Sequence, residues 1–418
     1  GYSMRDAKDA PQSVIEALKH GAEVLYGALL PILKHYAAVD LASNNAFDLN
    51  MTDWIAYLRA TDCFDDDEDS PTHFTPEHAQ IVFRQCKVEI GVSSQMRAVN
   101  DDEHLCRYEF LDANLRVVEA KYDLDHEPPD SHSREDHILE SVERFRDEHL
   151  SKLPYELHEC PDTFRRESLY NEEVDVQLWK YDKILKGIWK AYGNAHRVAG
   201  RAKFSPNVFA EFLTKCMLCH NSDARVAARR SFAFGRTFFV DTCDAGYKEL
   251  TYINFLEALC RFVHVEVEVP LFGHLREIGV NELCEFYEIL HFRATNGADA
   301  VHAINELRRM LKPDTELSLA EKLALVLPHM LACFSVTCGG DFETKLDHVR
   351  LNTLLTEEQK QKWIKKKCHI SRGDCEHVLA LDEFKAVTHA VDKKHVFAEA
   401  VQLKKSAEQG VSDGAGVW

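Results

Sequence analysis

Two twelve-residue stretches of this chain, 107–118 (RYEFLDANLRVV) and 252–263 (YINFLEALCRFV), align without a gap. Phe110, Leu111, Ala113, Arg116 and Val118 fall on Phe255, Leu256, Ala258, Arg261 and Val263, and Asp112 falls on Glu257. Two further matches lie upstream in the same order. Ile32, Lys34 and Tyr36 meet Ile188, Lys190 and Tyr192, and Trp54-Ile-Ala-Tyr-Leu58 meets Phe209-Ala-Glu-Phe-Leu213. Colinear matches whose offsets drift only between 145 and 156 residues indicate a duplicated unit. A chain built this way has to bury the same apolar stripe twice, so the architecture of one unit dictates that of the other.

Each unit reads as four helical segments. In unit one, spanning 21–122, they lie near 21–37, 51–62, 75–88 and 107–122. In unit two, spanning 178–266, they lie near 178–193, 206–218, 223–235 and 252–266. Apolar residues recur at spacings of three and four, as in Leu25, Leu29, Ile32 and Leu33, or Phe110, Ala113, Val117 and Ala120. Start signals agree: Thr52 precedes Asp53 and Trp54, and Thr75-Pro76-Glu77 places proline at a first helical position behind a threonine cap. The chain holds only 18 Gly and 12 Pro in 418 residues. That is too few for the tight turns of a sandwich, barrel or propeller, and the expected fold class is all-α.

Between the units, 123–177 reads as a charged connector containing Pro128-Pro129. One helix is expected within it over 134–150, with Ile138, Val142 and Phe145 as its apolar edge. Beyond unit two, 267–298 is expected to hold connecting helices, and 299–395 a third unit. There Leu355-Thr-Glu-Glu-Gln359 is like Phe74-Thr-Pro-Glu-His78, and Leu379-Ala-Leu-Asp-Glu-Phe384 is like Leu105-Cys-Arg-Tyr-Glu-Phe110. Helices near 299–311 and 318–333 supply its first half. Residues 396–418 read as a mobile tail. The stretch 323–340 carries no charged residue, but Pro328 and His329 interrupt it, and it is shorter than the ~20 apolar residues of a membrane span. It is expected to be a buried core helix.

The formal net charge is −19, from 50 Lys+Arg against 69 Asp+Glu. Such a chain has no general attraction for nucleic acid or anionic membranes, and a basic protein partner suits it better. Thirteen scattered cysteines read as reduced thiols of an intracellular, cytoplasmic protein. No N-terminal stretch resembles a signal peptide, and the opening Gly1-Tyr2-Ser3-Met4 reads as a cloning scar or the start of an excised fragment. The sequence contains no GxxxxGK[ST], GxGxxG behind a strand, HExxH or GxSxG. No enzymatic activity, catalytic residue or bound cofactor is expected from it.

A helix, a loop and a second helix entered through leucine–x–x–x–acid–phenylalanine resemble an EF-hand. In that superfamily two hands pack as a pair, which accounts for four helices per unit, and the apolar residue at loop position 8 pairs with the neighbouring hand. Calcium requires oxygen ligands at positions 1, 3, 5 and 12 and glycine at 6. With Glu109 at position 12, Ala98, Asn100, Asp102 and Glu103 fall at 1, 3, 5 and 6. With Glu383 at position 12, Arg372, Asp374, Glu376 and His377 do. The loop ending at Asp53 offers Ala42, Asn44 and Ala46, and the loop ending at Asn254 offers Cys243, Ala245 and Tyr247. The candidate calcium residues are therefore Asn100, Asp102 and Glu109, with Asp374, Glu376 and Glu383, and this ligand supply predicts no tight binding. The resemblance is to tandem, calcium-independent EF-hand-like proteins of the cytoskeleton, cilia and flagella. It implies a scaffold that holds a basic amphipathic helix of a partner in a Phe- and Met-lined groove. Tyr36, Trp54, Phe110, Tyr192, Phe255 and Phe384 are the expected structural aromatics. A weak calcium sensor or buffer is the alternative.

One string points elsewhere. Cys216-Met-Leu-Cys219-His220 matches the CxxCH of haem attachment, or half of a zinc site to be completed by Cys368, Cys375 and His377. Its place at the end of a repeat-equivalent helix makes two semi-buried thiols the simpler reading. The acid run Asp65–Asp69 reads as a solvated loop, and Lys365-Lys366-Lys367 as the polar face of a helix with Trp363 on its core edge.

Overall fold

The structure, a computed structural model, describes residues 11–43, 45–65, 73–87, 103–122, 124, 133–158, 160–195, 204–216, 218–219, 221–236, 250–269 and 317–338. These are mostly helical. The chain divides into two units, 1–163 with 237–248, and 164–236 with 249–418.

In unit one, α1 (Gln12–Ala37) begins well before the expected start and buries Val14, Ala17, Leu25, Leu29, Ile32 and Leu33. Strand β1 (Leu49–Asn50) leads directly into α2 (Met51–Ala60), whose first turn is capped by the Asn50 side chain accepting from the Asp53 backbone N–H at 2.8 Å. Thr75 caps α3 (Pro76–Cys86) in a reciprocal box with His78. Strand β2 (His104–Leu105) precedes α4 (Arg107–Lys121). Helix α5 (Arg134–Glu148) starts at a Ser133 cap and is followed by 3₁₀ turns Leu150–Lys152 and Tyr155–Leu157.

Part of the segment between the repeats belongs to this core. Ile138, Val142 and Phe145 of α5, with Leu150, Leu153 and Leu157 after it, join the same apolar cluster as Leu25 and Leu29. The apolar edge drawn from sequence packs on α1, close enough that a Cβ on Gly21 would stand 3.0 Å from Val142 Cγ2.

Unit two opens on a π-helical turn, Arg165–Leu169, then α6 (Glu172–Lys180), α7 (Asp182–Ala195), α8 (Pro206–Lys215), α9 (Ser222–Gly235), α10 (Tyr252–Glu266) and α11 (Leu319–Cys338). Side-chain caps from Asn171, Ser205, Asn221 and Thr251 start α6, α8, α9 and α10. Helices α9 and α10 meet most closely at Gly235, where an added Cβ would stand 2.7 Å from the Ala258 backbone nitrogen. Backbone cannot yield as a flexible side chain can. Gly235→Ala is therefore expected to destabilise unit two by about 1–3 kcal/mol, despite alanine's better helix propensity. A urea melt of the variant against wild type checks this.

Helix α11 carries most of the uncharged stretch singled out in the sequence, behind Glu321 and Lys322 of its first turn. Leu323, Val326, Leu327, Met330 and Leu331 are fully buried beneath α6, α8 and α10. No described helix is long and apolar enough to cross a membrane. The other expected elements of the third unit, near 299–311 and 355–384, lie outside the described residues, as does most of 267–298 and all of 396–418.

His329 of α11 is completely buried, and burial pushes its imidazole from 6.5 down to about 3. Above about pH 6.5 it is neutral in both the folded and the unfolded chain. Between 6.5 and about 3 the unfolded chain takes up a proton that the folded one refuses, so stability falls as pH falls through that window. Burial shifts His264 in the same direction. Thermal melts at pH 7 and pH 5 are expected to show a smaller acid-induced drop for His329→Gln than for wild type.

Candidate functional site: a backbone bridge between paired loops

Of the candidate calcium residues, Glu109 lies among the described residues, in the first turn of α4, and Asp53 holds the matching place in α2. Strands β1 and β2 pair antiparallel, with Leu49 opposite Leu105 and Asn50 opposite His104. Leu49 lies four residues before Asp53, and Leu105 four residues before Glu109. Both leucines are fully buried, so the bridge ties the two loops together through backbone and core at once.

Unit two repeats the arrangement. The Leu250 backbone N–H donates to the Phe204 carbonyl at 3.2 Å, and both side chains are buried. Phe204 immediately precedes the Ser205 cap of α8, as Leu49 precedes the Asn50 cap of α2. Leu250 precedes the Thr251 cap of α10, as Leu105 precedes Cys106 at the start of α4.

Above each bridge sits the same box of rings. In unit one, Trp54 and Phe110 meet edge-on at 5.9 Å and 86°, Tyr57 and Phe110 at 5.4 Å and 56°, and Tyr36 and Tyr57 at 5.6 Å and 64°. In unit two, Phe209 and Phe255 meet at 6.1 Å and 87°, Phe212 and Phe255 at 5.7 Å and 57°, and Tyr192 and Phe212 at 5.7 Å and 77°. Every one of these residues sits where the sequence alignment paired it. An ion pair is repeated too: Arg116 Nε reaches Asp112 Oδ2 at 2.9 Å, and Arg261 reaches Glu257 Oε1 at 2.9 Å, each one turn apart on its helix.

The loop-end groups are engaged by the protein itself. Glu109 is 1% exposed, and its Oε2 accepts from Lys87 Nζ at 2.8 Å and from the Cys106 backbone N–H at 2.8 Å. It thereby acts as the N-terminal carboxylate of α4, stabilised further by the helix dipole. Asp53 and Asn254 occupy the same third position of α2 and α10, and Asn254 Oδ1 accepts from Thr251 Oγ1 at 2.8 Å. In α8 that position is Val208, which has no oxygen to offer.

The loop ahead of α2 is organised by side chains that sequence reading passed over. Asp40 Oδ1 accepts from the backbone N–H groups of Ala42 and Ser43, at 3.0 and 3.3 Å, and Oδ2 accepts from Asn50 Nδ2 at 3.2 Å. His104 Nε2 lies 3.8 Å from the same oxygen. Asn45 accepts from the Phe47 N–H at 3.0 Å and donates to the Asp48 carboxylate. Such Asx turns hold a loop closed. The pattern Asp-x-x-Ser around Asp40 was a readable signal for them, whereas nothing local in sequence marked Lys87, 22 residues away from its partner.

Of the other candidates, Asn100, Asp102, Asp374, Glu376 and Glu383 lie outside the described residues, as do His220, Cys368, Cys375, His377 and the 365–367 lysines. Cys216 and Cys219 are buried, and burial pushes the Cys219 thiol up to about 12. Burial likewise raises Cys63 to about 11 and Cys106 to about 12, so these are neutral thiols near pH 7. Among the described residues, no three His, Cys, Asp or Glu side chains are grouped so as to hold a metal ion. Asp65 accepts from Lys121 Nζ at 2.6 Å and from the Phe74 backbone N–H at 2.9 Å. At least this first member of the acid run is therefore tied into the fold.

Compared with known proteins, the chain matches no family model, no curated protein and no solved structure.

Proposed function

We propose that the chain is a non-enzymatic helical scaffold built from tandem EF-hand-like pairs that keep their pairing without calcium. The observation that carries this is the loop-to-loop bridge, Leu49 with Leu105 and Phe204 with Leu250, at the place where paired EF-hands join. The internal partners of the loops support it. Lys87 supplies a tethered cation to Glu109, and Asp40 folds its loop through backbone N–H groups. Such a pair stays assembled at any calcium level, which suits a structural role in a cytoskeletal, ciliary or flagellar assembly better than a sensor. The net charge of −19 favours a basic protein partner.

Calorimetric titration of the full chain with calcium tests this reading. No saturable heat is expected, and far-ultraviolet dichroism is expected to be unchanged by chelator. A saturable heat removed by Glu109→Gln or Glu383→Gln would replace the scaffold with the weak sensor or buffer.

A further inference from the structure

The aromatic rings that the EF-hand resemblance would place along an open groove are buried in both units. Trp54, Tyr57, Phe209, Phe212 and Phe255 are 0% exposed and Phe110 is 2%. A partner helix that leaves these rings in place would dock on another surface. Unit two carries a cleft of about 400 Å³ between α6 and α11. Glu172, Glu173 and Val176 line it from α6, and Ala320, Glu321 and Ala324 from α11.

The cleft has a local cause. Ala320 and Ala324 stand one turn apart on α11, and their methyl groups leave the space opposite Val176 unfilled. Helix α6 is anchored beside it by Val174, which is 1% exposed. Val176 is 45% exposed and Trp179, one turn further along α6, is 79% exposed. A tryptophan left this open is a large apolar surface awaiting cover, and tryptophan is among the residues that dominate protein interfaces. Three carboxylates rim the floor. Glu321 Oε2 also accepts from Ser318 N and Oγ, at 2.8 Å each, and carries its charge at the rim while capping α11. The nearby Lys322 donates to the His264 carbonyl at 2.9 Å, and Lys180 donates at 3.0 Å to Gln177, which also lines the cleft, so the three carboxylates outnumber the one lysine beside them.

We propose that this cleft is the docking groove for a basic amphipathic helix of a protein partner. Aliphatic side chains of that helix pack on Val176, Ala320, Ala324 and Trp179, and its flanking Lys or Arg residues meet Glu172, Glu173 and Glu321. An anionic lipid surface would be repelled by the same rim. The inference rests on the scaffold reading and adds to it the surface and the partner's chemistry.

The test uses the full chain and a fluorescein-labelled peptide of roughly 18 residues, with leucine at i, i+3, i+4 and i+7 and lysine elsewhere. Saturable binding by anisotropy is expected, and Val176→Glu and Trp179→Ala are each expected to weaken it about tenfold or more. Val176→Glu adds a negative charge, so attraction by net charge alone would tighten rather than weaken binding. Glu172→Gln with Glu173→Gln is expected to weaken binding several-fold and to flatten its salt dependence. All four positions are exposed, and unchanged melting curves exclude misfolding as the cause. Saturable binding that both Val176→Glu and Trp179→Ala leave intact overturns the cleft as the groove while leaving the scaffold reading in place. Absence of saturable binding to the wild-type chain overturns the cleft and the helix-binding scaffold together. A mass that doubles with concentration and reverts on Trp179→Ala assigns the cleft to a second copy and also overturns the proposal.

Discussion

Glu257→Ala is expected to destabilise unit two by about 3–5 kcal/mol, enough to lower its melting transition by roughly 10 °C or more. Glu257 is 4% exposed and sits between two arginines. Arg165 Nε donates to both of its oxygens, at 3.0 and 3.1 Å, and Arg261 approaches Oε1 at 2.9 Å through Nε and through Nη2. The Arg261 guanidinium also lies 4.4 Å over the Phe164 ring. Removing the carboxylate takes away the anion that these two largely buried guanidiniums share, and much of the cost comes from their mutual repulsion rather than from the lost attraction. The repeat-equivalent pair in unit one supplies the control. Asp112 is 37% exposed there against 4% for Glu257, so water already solvates much of that carboxylate, and Asp112→Ala is expected to cost less than Glu257→Ala even though Arg116 is itself only 14% exposed. Differential scanning calorimetry of both variants would show the contrast. Equal effects would mean that the buried triad is not what holds α10 to the turn at Arg165.

Trp54→Ala is expected to cost about 3–5 kcal/mol in unit one. The indole is fully buried, tilted against Tyr57 at 5.6 Å and edge-on to Phe110 at 5.9 Å. Its Nε1 donates to the Ala79 carbonyl of α3 at 3.0 Å. Alanine would leave a cavity at the centre of the ring box and remove the indole's bond to that carbonyl. The same box holds Tyr57, whose hydroxyl donates to Asn114 Oδ1 at 2.6 Å, while Asn114 Nδ2 donates to the Phe110 carbonyl at 2.8 Å. Trp54→Phe keeps most of the volume, and phenylalanine is what unit two carries at the matching position, Phe209. It is therefore expected to recover more than half of the loss, in urea melts of the full chain.

The helices were legible because apolar periodicity and caps are local. Helix α10 runs Tyr252–Glu266 as read, and α2, α3, α4 and α9 agree to within two residues at each end. The ring box was legible through the repeat, since Trp54 with Phe209 and Phe110 with Phe255 were already paired by alignment. The loop chemistry was legible only in part. Missing oxygens at the expected ligand positions could be counted, but what takes their place could not. Lys87 meets Glu109 across 22 residues, and Asp40 meets Asn50 across ten. Neither pair has a periodicity to announce it.

The segment 134–157 divides the two kinds of knowledge most clearly. Its helix and apolar edge are written in residues 134–148. Its membership of the unit-one core depends on Gly21 of α1 allowing Val142 to approach, more than a hundred residues away. Likewise Phe110 and Phe255 read as aromatic stripes that could either line an open groove or fill a core, because a helix's apolar face looks the same in both cases. By itself the sequence determined a mostly helical chain with a repeated unit, because covalent neighbours three and four apart lie on one helix face. Tertiary structure alone decided that the rings are closed inward, that the loops are bridged and internally ion-paired, and that the exposed apolar surface of α6 faces a cleft. Those outcomes depend on distances between residues far apart in the chain, which only the packed fold brings together.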